Sequence, residues 1–323
     1  MGYPYTRRPL SALSSRILLL LLVLAAPAVH AESLRILSQN MNRLFDDIDD
    51  GNNEQILSRG RFQQRVKTAA GKFGDEFELP HIIALQEIEN SNVLRRITAQ
   101  IRERYSELYR PVLIPGQDVS GINLAFLVRQ DVEIKKIEQL FRNTRFKQTG
   151  NLLFSRPPLY LEACMLEKCI SLLNVHLRSM RGIDSDRDGQ RVTGKRLRQA
   201  ETIAAWSNDF QRSRTGASLL LLGDFNALTP TDKHVDVIGI IRGNPDNTTA
   251  SLPGRDLVEP DLIDISALVT PTKRYSFIFR GNRQQLDYMF VNRSFDAEVK
   301  AIDFSRIDYR FSDHAGLLAW LEW

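Results

Sequence analysis

Six short segments of this chain place an acid, an amide or a histidine at or near the end of an apolar run. Short apolar runs without helical spacing are typical of buried β-strands, and a polar residue at the end of such a run lies at a sheet edge. The segments are ILSQN, HIIALQE, LLNVHLRS, LLLLGDFN, QQLDYMF and SDH, and their polar residues are Asn40, Glu87, His176, Asp224, Asn226, Asp287, Asp313 and His314. Carboxylates, amides and histidines without cysteine are the side chains of a hard-metal phosphoryl-transfer site.

Residues 1–31 have the pattern of a secretory signal peptide. Three arginines precede an apolar run from Ile17 to Ala26, and small residues stand just before residue 32. That order of basic, apolar and small residues is typical of a cleaved signal. The apolar run is shorter than the ~20 residues of a membrane-spanning helix. We therefore expect a signal peptide over 1–31, one domain over 32–323, no stable membrane anchor, and a periplasmic or secreted product.

Net charge gives the domain no overall preference for polyanions. The whole chain has 43 basic and 39 acidic residues, and three of the basic residues lie in the signal, which leaves 40 against 39. Basic residues cluster locally instead, as in RRITAQIRER and RDGQRVTGKRLRQ. A groove for a polyanion must therefore be local, and a solvated helix face is an equally good interpretation of each cluster taken alone.

The two cysteines of the chain, Cys164 and Cys169, lie between the apolar runs LYLEA and ISLLNVHL. In an exported protein this spacing predicts a disulfide that closes a β-hairpin. A zinc site is the alternative, but two thiols without a nearby pair of histidines form a poor zinc cage.

Strand and helix patterns follow one another along the chain without repeats or a long linker. Predicted strands cover 34–40, 81–86, 124–128, 170–176, 218–222, 275–279, 286–291 and 316–321, and predicted helices cover 59–73, 93–105 and 191–210. The segment 232–260 is rich in Gly, Pro and Asn, as in a surface excursion. Hairpin and crossover connections together argue for an α/β fold with two packed sheets and helices outside them.

The ordered motifs resemble the endonuclease/exonuclease/phosphatase superfamily, whose members have the DNase I-like fold. The resemblance covers the whole of 32–323, and QNMNRLF, QEIEN and YSFIFRGNRQQLDY are most similar to its secreted bacterial nucleases. It implies a four-layered sandwich of two packed mixed β-sheets flanked by helices, with the site at one edge of both sheets. It also implies hydrolysis of phosphoesters with a divalent metal, usually Mg²⁺, with Mn²⁺ or Ca²⁺ as alternatives.

The resemblance assigns the metal and the general base to five residues. Glu87 and Asp313 are expected to supply anionic oxygens to the metal, and Asn40 a neutral oxygen. His314 is expected to take a proton from the attacking water, and Asp287 to fix the orientation of its ring.

Further residues are assigned to the nucleophile and the phosphate. Asp224 is the alternative base, since it can align or deprotonate the water, and Asn226 can donate a hydrogen bond to a phosphate oxygen. His176 matches the second histidine of the nuclease-like members, which faces the phosphate and can act as general acid or as an electrostatic clamp. Alternation in LLNVHLRS puts Arg178 on the same face, so Arg178 is a candidate phosphate contact. Asn123, in GINLAFLVR, is a further phosphate-binding candidate by family position.

These residues predict a monomeric phosphoric ester hydrolase that acts on nucleic acid, cutting DNA and also RNA with low sequence specificity. The alternative is a phosphodiesterase or phosphatase for lipid headgroups, inositol phosphates or sugar phosphates, because the same core serves all of these substrates and fold does not settle substrate. A catalytically inactive binding module is a third interpretation. The complete set of site residues argues against it.

Overall fold

Two six-stranded β-sheets form the framework of the protein in the computed structural model, which describes residues 1–3, 33–51, 54–228, 232–296 and 299–322. The strands are β1 (Ser33–Leu44), β2 (Ile82–Ile88), β3 (Tyr109–Leu113), β4 (Asn123–Arg129), β5 (Glu133–Gln139), β6 (Leu159–Met165), β7 (Lys168–His176), β8 (Ser218–Asp224), β9 (Ile263–Asp264), β10 (Phe277–Phe279), β11 (Asn282–Gln284), β12 (Asp287–Val291), β13 (Val299–Phe304) and β14 (Leu317–Glu322). The helices are α1 (Arg59–Gly71), continued by a π-helical turn (Lys72–Glu76), α2 (Ser91–Tyr105), α3 (Gly189–Ser213), α4 (Val237–Arg242) and α5 (Arg293–Asp296), with a 3-10 turn at Ile265–Leu268.

Both sheets are mixed, and each has one parallel pair near its centre. The first sheet has the order β13-β14-β1-β2-β4-β3 and the second the order β5-β6-β7-β8-β12-β9. Strands β1 and β2 are parallel, as are β7 and β8, and the remaining pairs in these sheets are antiparallel. Parallel neighbours need a crossover connection, and α1 and α3 provide it. The carboxyl ends of β1 and β2 therefore lie together, as do those of β7 and β8.

Three apolar cores separate four layers. The core between the sheets contains Ile36 and Phe126 from the first sheet and Leu172 and Leu220 from the second. A second core packs the outer face of the first sheet against α1 and α2, and a third packs the outer face of the second sheet against α3 and α4. The central strands are buried on both faces, which explains their continuous apolar runs. The predicted fold class, an α/β sandwich of two packed mixed sheets flanked by helices, is confirmed.

The helix that follows β2 begins at Ser91, two residues before the predicted start. The side chain of Asn90 accepts hydrogen bonds from the backbone N–H groups of Asn92 (2.8 Å) and Val93 (3.1 Å), so it caps α2. The buried residues of that helix include Leu94, Ile97 and Ile101. Because the cap lies just beyond Glu87, it holds the end of β2 in place.

Several expectations from the sequence concern regions away from the site. Cys164 and Cys169 form the predicted disulfide at the turn between β6 and β7. The segment 232–260, predicted as a loop, contains the short helix α4. Within the described residues, no helix is both long and apolar enough to cross a bilayer. The predicted signal peptide, apart from residues 1–3, lies outside the described residues, so that boundary stays a prediction.

Candidate active site

Strand register brings the predicted polar residues into one row at the sheet edge. His176 at the end of β7 pairs with Asp224 at the end of β8, and Asp224 pairs with Asp287 at the start of β12. From the first sheet, Asn40 on β1 approaches the same place together with Glu87 at the end of β2. The structure therefore contains the predicted convergence of polar residues from strand ends, and both sheets contribute residues to it.

Three of these side chains form a cluster of potential metal ligands. One ligand atom from each of Glu87, His176 and Asp224 lies within 4.8 Å of the other two. His176 Nε2 is 3.7 Å from Glu87 Oε1 and 3.4 Å from Asp224 Oδ2. The amide nitrogen of Asn40 donates to the same two carboxylates, at 3.3 Å and 3.1 Å respectively.

The donor set fits a divalent cation. The outer oxygen of Glu87 accepts from the backbone N–H of Arg43 (2.8 Å), and Asp224 Oδ1 accepts from that of Asn226 (2.8 Å). These bonds fix both carboxylates so that their other oxygens face the cluster. Two anionic oxygens and an imidazole nitrogen that converge in this way can hold Mg²⁺ or a similar ion.

Asp313, the remaining predicted ligand, is not one of the three residues in this cluster. Its charge acts on His314 and on Arg65, so it borders the site. The Arg65 guanidinium donates to the carbonyl oxygens of Met41, at 2.5 Å, and of Asn42 and Arg43. Arg65 thus supports the loop after Asn40 while facing the acidic side of the site. The role of Asp313 as a ligand stays a prediction.

Asp287 and His314 form a buried pair beside the cluster. His314 Nδ1 lies 2.7 Å from Asp287 Oδ2, and the ring of Phe277 lies 5.0 Å from the His314 ring, centroid to centroid. The hydroxyl of Ser276 accepts from the backbone N–H groups of Leu286 and Asp287, which fixes the start of β12. An acid that binds Nδ1 leaves Nε2 free to face a substrate, as the predicted orienting role requires.

The two site histidines have opposite charge preferences. Burial alone would lower the pKa of His314, but the charge and hydrogen bond of Asp287, helped by Asp224, raise it to about 10. Burial lowers the pKa of His176 well below its usual value, and Arg156 adds to this. His314 therefore favours the imidazolium and His176 the neutral ring, which is the form that binds a metal.

Asp224 connects the cluster to the buried pair. Burial, followed by the neighbouring charge of Asp287, raises the pKa of the Asp224 carboxyl to about 7. A carboxylate that is costly to ionise in this position is a candidate for both metal binding and proton transfer.

Two residues of the site have a left-handed backbone. Glu87 and Asn226 both have positive φ, 60° and 50°, a conformation that L-residues adopt at a cost. Gly223, which precedes Asp224, has φ 133°. A Cβ there would lie 2.1 Å from the carbonyl oxygen of Val175, so this position requires glycine. Asn226 turns its amide back toward Asp224 Oδ2 (3.1 Å) and the Leu177 carbonyl oxygen (3.3 Å).

The two predicted phosphate-binding residues have different surroundings. Asn123 accepts from Gly116 N (2.6 Å) and donates to Glu89 O (2.5 Å), so its amide is occupied by backbone groups. Arg178 follows His176 by two residues and donates to Ser179 Oγ and to the Arg181 carbonyl oxygen. Of the two, Arg178 is the nearer to His176 along the chain, since it lies two residues beyond the end of β7.

Sequence reasoning missed a hydrogen-bonded link between the sheets directly behind the site. Gln86 Nε2 donates to Asn174 Oδ1 (2.8 Å), and Asn174 Nδ2 donates to the carbonyl oxygens of Leu85 and Ala125. Gln86 precedes Glu87, and Asn174 lies two residues before His176, so this link aligns the two ligand-bearing strands. The signal was present, because both are amides inside otherwise apolar strands.

Solved structures share the fold over most of the chain. A truncated TDP2 from Caenorhabditis elegans has a TM-score of 0.58 and 18% identity, covering 90% of this chain and 98% of that one. The endonuclease/exonuclease/phosphatase from Bacteroides vulgatus has a TM-score of 0.56 and 14% identity, covering 90% and 99%. TDP2 from D. rerio complexed with a single-strand DNA product has a TM-score of 0.55 and 15% identity, covering 89% and 98%.

At these identities the likeness shows the fold, and it confirms the predicted resemblance at that level. The chain has the DNase I-like fold of the endonuclease/exonuclease/phosphatase proteins. No protein-family model matches the chain, and no curated protein matches it by sequence. The chemistry therefore has to be argued from the site itself.

Proposed function

We propose that the chain is an exported, divalent-metal-dependent phosphoesterase, and specifically a nuclease that hydrolyses the phosphodiester bonds of DNA with low sequence specificity. RNA is a second expected substrate. One observation carries the proposal: Glu87, His176 and Asp224 converge beside the Asp287–His314 pair at the edge of a DNase I-like sandwich. A ligand cluster, an oriented histidine and a neighbouring amide are the parts that hydrolysis of a phosphate ester needs.

The metal would be held by Glu87 and Asp224, with His176 as the neutral nitrogen donor and Asn40 and Asp313 beside it. When bound, Mg²⁺ would withdraw charge from the phosphate and offset the repulsion between the carboxylates. The convergence of three ligand atoms within 4.8 Å supports this assignment.

The remaining residues act on the phosphate and the attacking water. The side-chain amide of Asn226 donates to Asp224 at the edge of the cluster. A phosphate oxygen of the substrate can replace Asp224 as the acceptor of this hydrogen bond. Asp287 holds His314 at Nδ1, so Nε2 is the atom that exchanges a proton with the substrate or the water. Asp224 is the alternative group for taking the proton from the water. We favour the histidine, because its orienting acid would otherwise have no function.

Nucleic acid is the proposed substrate for two reasons. The D. rerio TDP2 that shares this fold is complexed with a single-strand DNA product. In addition, arginines and a lysine surround Arg178 on the His176 side of the site, where a polyanion could bind. Export rests on the signal-like pattern over 1–31, and the product is proposed to work as a monomer in the periplasm or outside the cell.

The test is a substrate panel with the purified protein in Mg²⁺ and in excess EDTA. The panel contains supercoiled plasmid, linear DNA, RNA, sphingomyelin and inositol phosphates, and a His314→Ala variant serves as the control for contaminating enzymes. We expect nicking of plasmid DNA that requires Mg²⁺ and His314. Full activity in EDTA would contradict the metal dependence. Hydrolysis of sphingomyelin or inositol phosphates without DNA cleavage would contradict the nuclease and support the alternative phosphodiesterase or phosphatase.

A further inference from the structure

A cluster of cations lies on the His176 side of the proposed active site. We use the name basic cluster for Arg156, Arg178, Arg191 and Lys195. Helix α3 explains how these residues come together: Gln199 Oε1 accepts from the backbone N–H of Arg178 at 2.9 Å, so this face of α3 packs on the loop after His176. Lys195 and Arg191 lie one and two turns before Gln199 on the same face.

The other members of the basic cluster are fixed next to His176. Arg156 donates through Nε to the carbonyl oxygen of His176 (3.2 Å) and through Nη2 to that of Leu177 (3.1 Å). The buried Arg196, from the next position of α3, donates to the carbonyl oxygen of Arg178 (2.8 Å) and pairs with Asp232. These contacts hold the loop and the helix at a set distance from the site.

Acids form ion pairs with two of the four members of the basic cluster. Arg156 is 3.3 Å from Asp118, and Arg191 is 3.1 Å from Asp188. No acid among the described residues forms an ion pair with Lys195 or Arg178.

The cations of the basic cluster lie close enough to repel one another. Burial, followed by repulsion from Arg178, Arg156 and Arg191, lowers the pKa of Lys195. Half-buried cations that repel one another and lack partner acids are stabilised by an anion.

We propose that the basic cluster binds a second phosphate of the substrate, adjacent to the scissile phosphate on the His176 side, with Lys195 as the main contact. The inference rests on the proposed function and narrows it to substrates with linked phosphodiesters. Arg178 follows His176 by two residues, a distance of about 7 Å along an extended chain. That separation is comparable to the spacing of successive phosphates in a polynucleotide strand, whereas sphingomyelin or a sugar monophosphate has no second phosphate to place there.

The test measures binding in EDTA, so that it does not depend on hydrolysis. A fluorescein-labelled single-stranded DNA is titrated with the full chain carrying Lys195→Ala, Lys195→Gln or Arg198→Ala, and anisotropy is followed from low to high salt. Arg198 is the matched control, because it lies on α3, its side chain is 49% exposed, and its partner Glu201 keeps a second partner in Arg255.

We expect both Lys195 variants to bind about fivefold more weakly near 0.1 M salt, with a salt slope lower by about 0.7, as for the loss of one phosphate contact to a single strand. Arg198→Ala should bind like the unmodified protein. Equal affinity and equal slope for Lys195→Gln and Arg198→Ala, with both variants folded, would overturn the inference.

A second arm separates this inference from the proposed function. In Mg²⁺, the ratio of kcat/KM for DNA to kcat/KM for bis(4-nitrophenyl) phosphate should fall about fivefold in Lys195→Gln and stay constant in Arg198→Ala. An equal fall for both substrates would place Lys195 in the catalytic centre and overturn the second-phosphate site. Absence of hydrolysis by the unmodified protein would refute the proposed function, while the anisotropy result would still decide whether the basic cluster binds phosphate.

Discussion

The two ends of strand β2 differ in how their polar groups are partnered. At its start, His81 Nδ1 accepts from the backbone N–H of Arg35 (3.0 Å), and the Arg35 side chain pairs with Glu78 at 2.9 Å. At its end, Glu87 faces Asp224 across the cluster, and a donor from Asn40 is shared between the two carboxylates. One end is completed by its own groups, whereas at the other end two carboxylates converge on one histidine that favours the neutral form.

The histidines at these ends show what the difference means. Burial, helped by the charge of Arg129, lowers the pKa of His81 to about 4, so this ring is a neutral structural acceptor. At the site, the Asp287 charge outweighs the burial of His314 and raises its pKa to about 10. Burial is similar in kind at both places, and the partner decides the charge. Stability has shaped the first end, and a requirement for an external ligand has shaped the second.

The largest expected effect is the loss of turnover on removal of Glu87. In Glu87→Ala, kcat for DNA cleavage in Mg²⁺ should fall by at least about 10³-fold, because a metal ligand is lost. The melting temperature should change little, since Glu87 is not part of an apolar core. Glu78→Ala, at the opposite end, is the matched control and should retain activity. Comparable activity losses in both variants would show that the two ends do not differ as described.

The next effect concerns the Asp287–His314 pair as one unit. His314→Ala and Asp287→Ala should each lower kcat strongly, and the double variant only slightly further, because residues of one unit are not additive. Additive losses in steady-state kinetics would contradict the unit. Mild impairment in His314→Ala would instead support Asp224 as the base.

The pH profile sharpens the same assignment. The sequence alone predicts a rate that falls below about pH 6–7, the range of an unperturbed imidazole. Since Asp287 raises the pKa of His314 to about 10, a rate that needs the neutral ring should keep rising into alkaline pH. In Asp287→Asn that rise should move to lower pH, although the overall rate is lower. If the pH–rate profile of Asp287→Asn matched that of the unmodified protein, Asp287 would not control the pKa of the catalytic base.

A smaller effect is expected at the turn between β6 and β7, which lies at the end of β7 away from His176. Replacing Cys164 and Cys169 with alanine should lower the free energy of unfolding by about 1–3 kcal/mol, since a short closed loop loses little entropy. Turnover at 25 °C should be retained. Urea denaturation and a DNA-cleavage assay on the same sample measure both quantities. A large loss of activity in the folded variant would show that this turn affects the active site.

The smallest effect is the pH dependence contributed by His81. Its folded pKa of about 4 lies below its unfolded value of about 6.5, so the unfolded chain binds a proton first as pH falls. This contribution to stability is therefore complete above about pH 6.5 and is lost as pH falls toward 4, by about 2 kcal/mol at pH 5. His81→Gln should flatten this part of the curve in urea titrations at pH 4, 5 and 7. An unchanged slope would show that His81 is not the group responsible.

The parts of the fold that were predictable are those in which burial dictates the residue types. Strands β1, β2, β7 and β8 contain long apolar runs, and the polar residue that follows each run is a site residue: Asn40, Glu87, His176 and Asp224. Pattern alone therefore located four residues of the site. Edge strands β3 and β5 were missed, because half-exposed strands carry charges that break the apolar run.

The supporting residues of the site were harder to predict. Arg156 stands in the loop segment SRPP, and Lys195 on a helix face whose residues could equally face solvent. Their relation to His176 depends on tertiary packing of α3 against the second sheet, which no local spacing encodes. Local pattern therefore locates ligand-bearing strand ends more readily than the cations that surround them.

The left-handed backbone at Glu87 and Asn226 has a consequence for anyone who selects variants of this protein by heat resistance. Glycine at either position would relieve backbone strain, worth about 1 kcal/mol each, and both changes would delete a side chain of the site. A library ranked only by survival at high temperature should therefore become enriched in folded, inactive molecules. Screens for durable variants of this chain need to score turnover in the same round.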